Sequence, residues 1–207
     1  MMKKTLLVIG LATATQLSAE ELTSNVIHDY NQVQINYDYF HDLGNTGVNA
    51  HGVGAQFSYE IKNFLFAAEG GYAWGDDDLG INADLSFWNI SGSVGYVFRF
   101  MGNHLNIIPR FGVGYNELEI DSPITGTFRF DDVTIHPGIT ASYAITHCWN
   151  VFTGYSFDYG IDTEAEGHAL FVGTTVALAE NIGTTVRAVF REGQGFAGLT
   201  AGISFHY

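Results

Sequence analysis

Eight ionisable residues share one phase of segments that alternate between polar and apolar residues: Asp38, Glu60, Glu69, Arg99, Arg110, His136, Asp158 and Arg187. Charges removed from water either pair with one another or keep water beside them. A face carrying both signs therefore either locks shut through ion pairs or lines a narrow wet path. Glu69 is expected to pair with Arg110 or Arg187 at the centre of this set.

Two further groups lie outside that phase. Asp76-Asp77-Asp78, with Asp84 nearby, offer hard oxygens suited to Ca²⁺ or to bridging a divalent cation. Their spacing is not that of an EF-hand loop, and carboxylates in loops are commonly just solvated. Asp76 and Asp78, with Glu166 and His168, offer acid–base chemistry only if the two pairs face one another across a cleft. The eight histidines are scattered without metal-ligand spacing, so no metal and no cofactor is expected. Gly52-Val53-Gly54 lies inside a strand pattern with no helix following, so it is not a phosphate loop. Cys148 is the single cysteine, which excludes an intrachain disulfide.

The composition narrows the setting. The chain has 207 residues, with 22 Asp and Glu against 8 Lys and Arg and a net charge of −14. Nucleic acid is excluded as a partner, because phosphate contacts need Lys and Arg. Aromatic residues make up 14 %, with 25 Gly and 3 Pro, a mixture that suits strands. Residues 1–19 read as a secretory signal peptide. Lys3 and Lys4 give the positive start, Leu6 to Ala12 the apolar stretch, and Leu17-Ser18-Ala19 the cleavage site, with the cut after Ala19. Residues 20–30 form a short periplasmic lead.

Beyond it, ten segments alternate with period two, the signature of strands with one wet and one apolar face. In the first, Val33, Ile35, Tyr37 and Tyr39 oppose Gln32, Gln34, Asn36 and Asp38; the last runs through Ala197 to Tyr207. Three features separate this from a soluble sandwich. First, the connections alternate. Lys62-Asn63, Met101–His104, Thr146–Cys148 and Ala179–Asn181 are tight turns. His41–Ala50, Gly75–Asp84, Asn116–Asp132, Gly160–Gly167 and Arg191–Gly195 are mostly longer and more polar. Second, aromatics gather at both ends of the apolar faces, as in the girdles of membrane barrels. Third, the five outer connections hold fourteen acidic residues against Arg129 and Arg191, while the centre of the apolar faces carries no charge. In lipid every backbone group must be paired internally, so such a sheet must close. The expected fold is all-β: a transmembrane antiparallel up-and-down barrel of about ten strands, with eight as the alternative, over residues 31–207.

The final stretch Leu199-Thr200-Ala201-Gly202-Ile203-Ser204-Phe205-His206-Tyr207 resembles the C-terminal signal of bacterial outer-membrane barrels, and the chain as a whole resembles small OmpA/OmpX-like barrels of the outer membrane protein β-barrel domain type. The resemblance implies that the barrel-assembly machinery reads the last strand through Ile203, Phe205 and Tyr207. It implies outer-membrane lipid and lipopolysaccharide as surroundings. A soluble peptidoglycan-binding domain of the kind OmpA carries is not expected. Omptin proteases, which are ten-stranded, resemble the chain only in position: Glu166 stands where they carry Asp, and the chain is much shorter. The expected role is that of a non-catalytic structural or surface-interaction barrel, with a small porin-like channel as the alternative and an omptin-like protease behind it.

Overall fold

The computed structural model describes residues 30–41, 49–76, 84–122, 126–192 and 195–207. Ten strands run in chain order: β1 (Gln32–Phe40), β2 (Ala50–Ile61), β3 (Phe64–Asp76), β4 (Asp84–Tyr96, continued by Phe98–Phe100), β5 (Leu105–Ser122), β6 (Gly126–Thr146), β7 (Trp149–Gly160), β8 (Glu166–Ala179), β9 (Ile182–Arg191) and β10 (Gly195–His206). Each pairs antiparallel with its sequence neighbours, and β10 pairs with β1, so the sheet closes on itself. No α-helix occurs among the described residues. The signal peptide and most of the 20–30 lead lie outside them.

Alternation decides which way each side chain points. Along β1, Gln32, Gln34, Asn36 and Asp38 are buried in the lumen, whereas Val33, Ile35 and Tyr37 face out. The same phase holds around the barrel, with Phe57, Phe66, Ile90, Phe111, Ile139, Val172, Val186 and Ile203 exposed on the outer wall. A lipid-facing wall of this kind is stable because the hydrocarbon replaces a protein core. The tight turn Lys62-Asn63 takes positive φ at both residues (51° and 69°), which matches the strand twist across a two-residue hairpin.

One connection differs from its sequence reading. Asn116–Asp132 is not a loop: β5 runs on to Ser122, paired with β4 up to Asp121 opposite Asp84, and β6 begins at Gly126, so the two form a hairpin that rises beyond β7. A tilted span needs only about 9–11 residues, and β5 has 18 and β6 has 21. The polarity of the two faces inverts along it. Within the span, Phe111 and Val113 face out and Gly112 and Gly114 face in. Above it, Glu117 and Glu119 face out, while Leu118 is buried inward. Once the sheet leaves lipid its outer face meets water and its inner face meets the plugged mouth, so the apolar residues change sides.

Candidate functional site

The lumen is filled at three levels. At the periplasmic end, Arg99 Nη2 donates to Glu60 Oε2 at 2.5 Å and Arg99 Nη1 to Asn63 Oδ1 at 2.6 Å. Asn31 Oδ1 accepts from the backbone N–H of Glu60 at 2.8 Å, which draws the chain before β1 inward. Tyr30 follows it into the barrel and is wholly buried against Leu65, Val97 and Ile108. Its hydroxyl accepts from Asn106 Nδ2 (2.6 Å) and its carbonyl from Ser58 Oγ (2.7 Å).

At mid-height the buried charges collect. Arg187 is 0 % exposed, and its Nη2 donates to Thr200 Oγ1 at 3.0 Å. Thr200 in turn donates to Asp38 Oδ1 at 2.6 Å. Glu69 accepts from Ser91 Oγ at 3.0 Å, and the charges of Arg187 and Arg110 act on it. Arg110 Nη2 donates to Thr140 Oγ1 at 2.8 Å. Of these hydroxyls Thr200 bridges two charges, Arg187 and Asp38, whereas Ser91 is bonded to Glu69 and Thr140 to Arg110. Glu69, Arg110, Ser91, His136 and Ser156 border a cavity of about 20 Å³, which has room for about one water. On another wall the rings of Phe152 and Phe171 lie 6.3 Å apart. Each occupies the space beside a glycine: a Cβ on Gly173 would strike the Phe152 ring, and one on Gly154 the Phe171 ring.

Toward the outer end His136 Nδ1 lies 2.9 Å from Asp158 Oδ1, and its Nε2 lies 3.3 Å from Thr134 Oγ1. An acid, an imidazole and a hydroxyl in series have the connectivity of a nucleophilic triad. All three are buried, and Thr134 also accepts from Asn116 Nδ2 at 2.9 Å. Gly112 and Gly114 give the imidazole its space. The array therefore fastens β5, β6 and β7 together and offers no access for a substrate. Above it Phe40, Ala73, Leu85, Phe87 and Leu118 form an apolar layer across the mouth, with Ile120 and Phe130 packed on it.

The outer rim carries the remaining sequence candidates. Asp84 stands opposite Asp76 on one side and Asp121 on the other. Asp77 and Asp78 lie outside the described residues, as does the side chain of Asp76. Among the described residues no group of His, Cys, Asp or Glu is arranged to hold a metal ion. Arg129 donates to Glu119 (2.7 Å) and lies 3.3 Å from Glu117. The hydrogen bond to Glu119, followed by the charge of Glu117, raises its pKa above the ordinary arginine value. His168 turns outward against Tyr155 and Phe157, with its Nδ1 2.5 Å from the Tyr155 hydroxyl. At the other end of the barrel, Ile203, Phe205 and Tyr207 face outward. Tyr207 stacks on Phe57 at 6.0 Å, and its hydroxyl donates to the Ser58 carbonyl at 3.2 Å.

Sequence reasoning placed Asp158 and His136 in the lumen without joining them. It missed Tyr30, Phe40, Phe87, Leu118, Phe152 and Phe171 as lumen residues, although the last five fall on the polar phase and parity alone could have found them.

Solved structures share this fold. The β domain of a Bordetella autotransporter, BrkA, matches with a TM-score of 0.52 at 9 % identity, covering 85 % of this chain and 98 % of its own. Neisserial surface protein A (NspA) matches at 0.45 and 13 % identity, covering 85 % of this chain and 96 % of its own. Ail, the attachment invasion locus protein of Yersinia pestis, matches at 0.44 and 15 %, covering 84 % and 97 %. No curated protein sequence matches. The model of the family described as "Outer membrane protein beta-barrel domain" matches residues 5–192. With a closed ten-stranded barrel, an apolar outer wall and that match over most of its length, the chain belongs to the outer membrane protein β-barrel domain family, and its place is the outer membrane.

Proposed function

We propose that this barrel is a closed structural and surface-interaction protein rather than a diffusion pore. The observation that carries the reading is the filling of the lumen at every level. Tyr30 occupies the periplasmic end, the Arg187 layer and the Phe152–Phe171 pair the middle, and Phe40, Phe87 and Leu118 the outer mouth. Barrel width grows with strand number, and here large side chains take up the width that ten strands provide.

On this reading the chain is exported by a signal peptide cut after Ala19. The barrel-assembly machinery engages the last strand through Ile203, Phe205 and Tyr207. The girdles contact lipid and lipopolysaccharide, with divalent cations between the acidic loop at Asp76–Asp78 and the lipid phosphates. No catalytic role is assigned.

Planar-bilayer recording of the purified barrel tests the reading. The expected result is a flat baseline. Stable, reproducible conductance steps would overturn it in favour of a small porin-like channel. Incubation with a basic peptide provides the enzymatic control: no cleavage is expected, and cleavage that disappears in Asp78→Ala would move the assignment to a protease.

A further inference from the structure

The β5–β6 hairpin leaves one strand edge unpaired above the membrane. On one side, β6 is paired with β5 along its whole rise, from Gly126 opposite Ser122 down to Tyr143 opposite Leu105. On its other side the ladder with β7 begins only at Thr134 opposite Gly160, and the last backbone bond is Ile161 N–H to the Val133 carbonyl at 2.8 Å. The connection after β7 closes on Asp132, whose carboxylate accepts from the Asp162 backbone N–H and the Thr163 hydroxyl. Among the described residues, nothing pairs with that edge between Gly126 and Asp131.

Strand geometry fixes which groups it presents. A residue in an antiparallel strand points its N–H and C=O to the same side, and successive residues alternate sides. The Val133 carbonyl faces β7, so the N–H and C=O of Asp131, Arg129 and Thr127 face the same free edge. An unpaired row of this kind is a template for a further strand.

The two faces flanking the edge differ in chemistry. The outward face holds Glu117 opposite Asp131, Glu119 opposite Arg129, and Asp121 opposite Thr127, which is four carboxylates against one guanidinium. The inward face places Phe130 opposite Leu118 and Phe128 opposite Ile120. Phe128 remains 43 % exposed. A strand added here would lay alternate side chains beside each face.

We propose that the free edge of β6 from Thr127 to Asp131 is a docking site for an extended segment of a partner polypeptide that alternates basic and apolar residues. The segment adds to the sheet through the backbone of Thr127, Arg129 and Asp131. Its basic side chains lie beside the carboxylate face and its apolar ones beside Phe128. This inference rests on the surface-interaction reading above and supplies its partner chemistry.

The test measures binding of a fluorescent peptide alternating Lys and Ile to the full barrel in detergent micelles. Saturable binding is expected. A version of the peptide N-methylated at every amide, which keeps charge and side-chain sequence but has no N–H left to extend a sheet from either edge, should bind about tenfold more weakly or worse. A Glu/Ile version should not bind. On the protein side, Arg129→Pro removes from the backbone an N–H that faces away from β5, a change that edge strands tolerate, and with the side chain it removes the contacts to Glu119 and Glu117. It should abolish binding, although it also removes a repelling cation. Arg129→Ala keeps the N–H and should bind at least as well as the parent. The proposal is overturned if the Lys/Ile peptide does not bind, if the N-methylated peptide binds equally well, or if Arg129→Pro, with the barrel's heat-modifiable gel mobility intact, keeps full affinity. Conductance would refute the closed-barrel reading whatever the peptide does, and absence of binding to a non-conducting barrel would refute only the docking site.

Discussion

Thr200 Oγ1 stands between Arg187 and Asp38, accepting from the guanidinium at 3.0 Å and donating to the carboxylate at 2.6 Å. The three residues sit on consecutive strands, β9, β10 and β1, in register across the barrel. One hydroxyl thus transmits an attraction between two charges that are each almost fully buried. Replacing Thr200 by the isosteric Val removes both bonds without altering volume and should lower stability by about 3 kcal/mol, since hydrogen bonds to charged groups contribute about 1.5–3 kcal/mol each. Thr200→Ser should lose far less. Urea unfolding in lipid vesicles gives the comparison, and equal midpoints for Val and the parent would show that the hydroxyl carries no such link.

The two glycine–phenylalanine contacts predict a compensation. Gly173 leaves the space that the Phe152 ring enters from the neighbouring strand β7. Gly173→Ala places a methyl inside that ring, and overpacking of this kind costs about 1–3 kcal/mol. Phe152→Ala costs about 3–5 kcal/mol through lost burial. In the double variant the clash with the ring is gone and only the close approach to the Val186 carbonyl at 2.7 Å remains, so the combined loss should fall below the sum of the two. Strict additivity in the unfolding cycle would mean that the methyl and the ring never meet.

The terminal strand can be tested apart from the stability of the finished barrel. Tyr207 stacks on Phe57 at the barrel's outer wall and is 61 % exposed, so Tyr207→Ala removes little buried surface. If the assembly machinery reads this residue, the variant should accumulate as unassembled chain in cells, seen as loss of the heat-modifiable gel band. The same chain should still refold into detergent with near-parental yield. Equal losses in both settings would make Tyr207 an ordinary structural residue.

Alternation made the wall of the barrel legible, because a one-residue shift would send every polar side chain of β1 into lipid. The same logic hid the plug. Phe40, Phe87, Leu118, Phe152 and Phe171 fall on the polar phase, yet a rule that assigns apolar residues to lipid passes over them. Glu117, Glu119 and Asp121 made the outer hairpin look like a loop, since the sequence carries no mark of the height at which strands leave lipid and their faces exchange polarity. His136 and Asp158 are 22 residues apart, and only the register between β6 and β7 brings them to 2.9 Å.

Closure at three levels yields a prediction that separates a plugged barrel from a gated one. Tyr30 fills the periplasmic end with its ring against Leu65, Val97 and Ile108 and its hydroxyl on Asn106. Tyr30→Phe removes one buried hydrogen bond and should cost about 1 kcal/mol. Tyr30→Ala also vacates the ring's volume and should cost about 3–5 kcal/mol. Neither should produce conductance, because the Arg187 layer and the Phe40–Phe87–Leu118 layer still block the lumen above. Tyr30→Ala combined with Phe87→Ala opens the periplasmic end and thins the outer layer, leaving the Arg187 layer and the Phe152–Phe171 pair as the main block to ions. If Tyr30→Ala alone conducts in planar bilayers, the lumen is held by a single gate at the periplasmic mouth, and the middle and outer layers do not seal it.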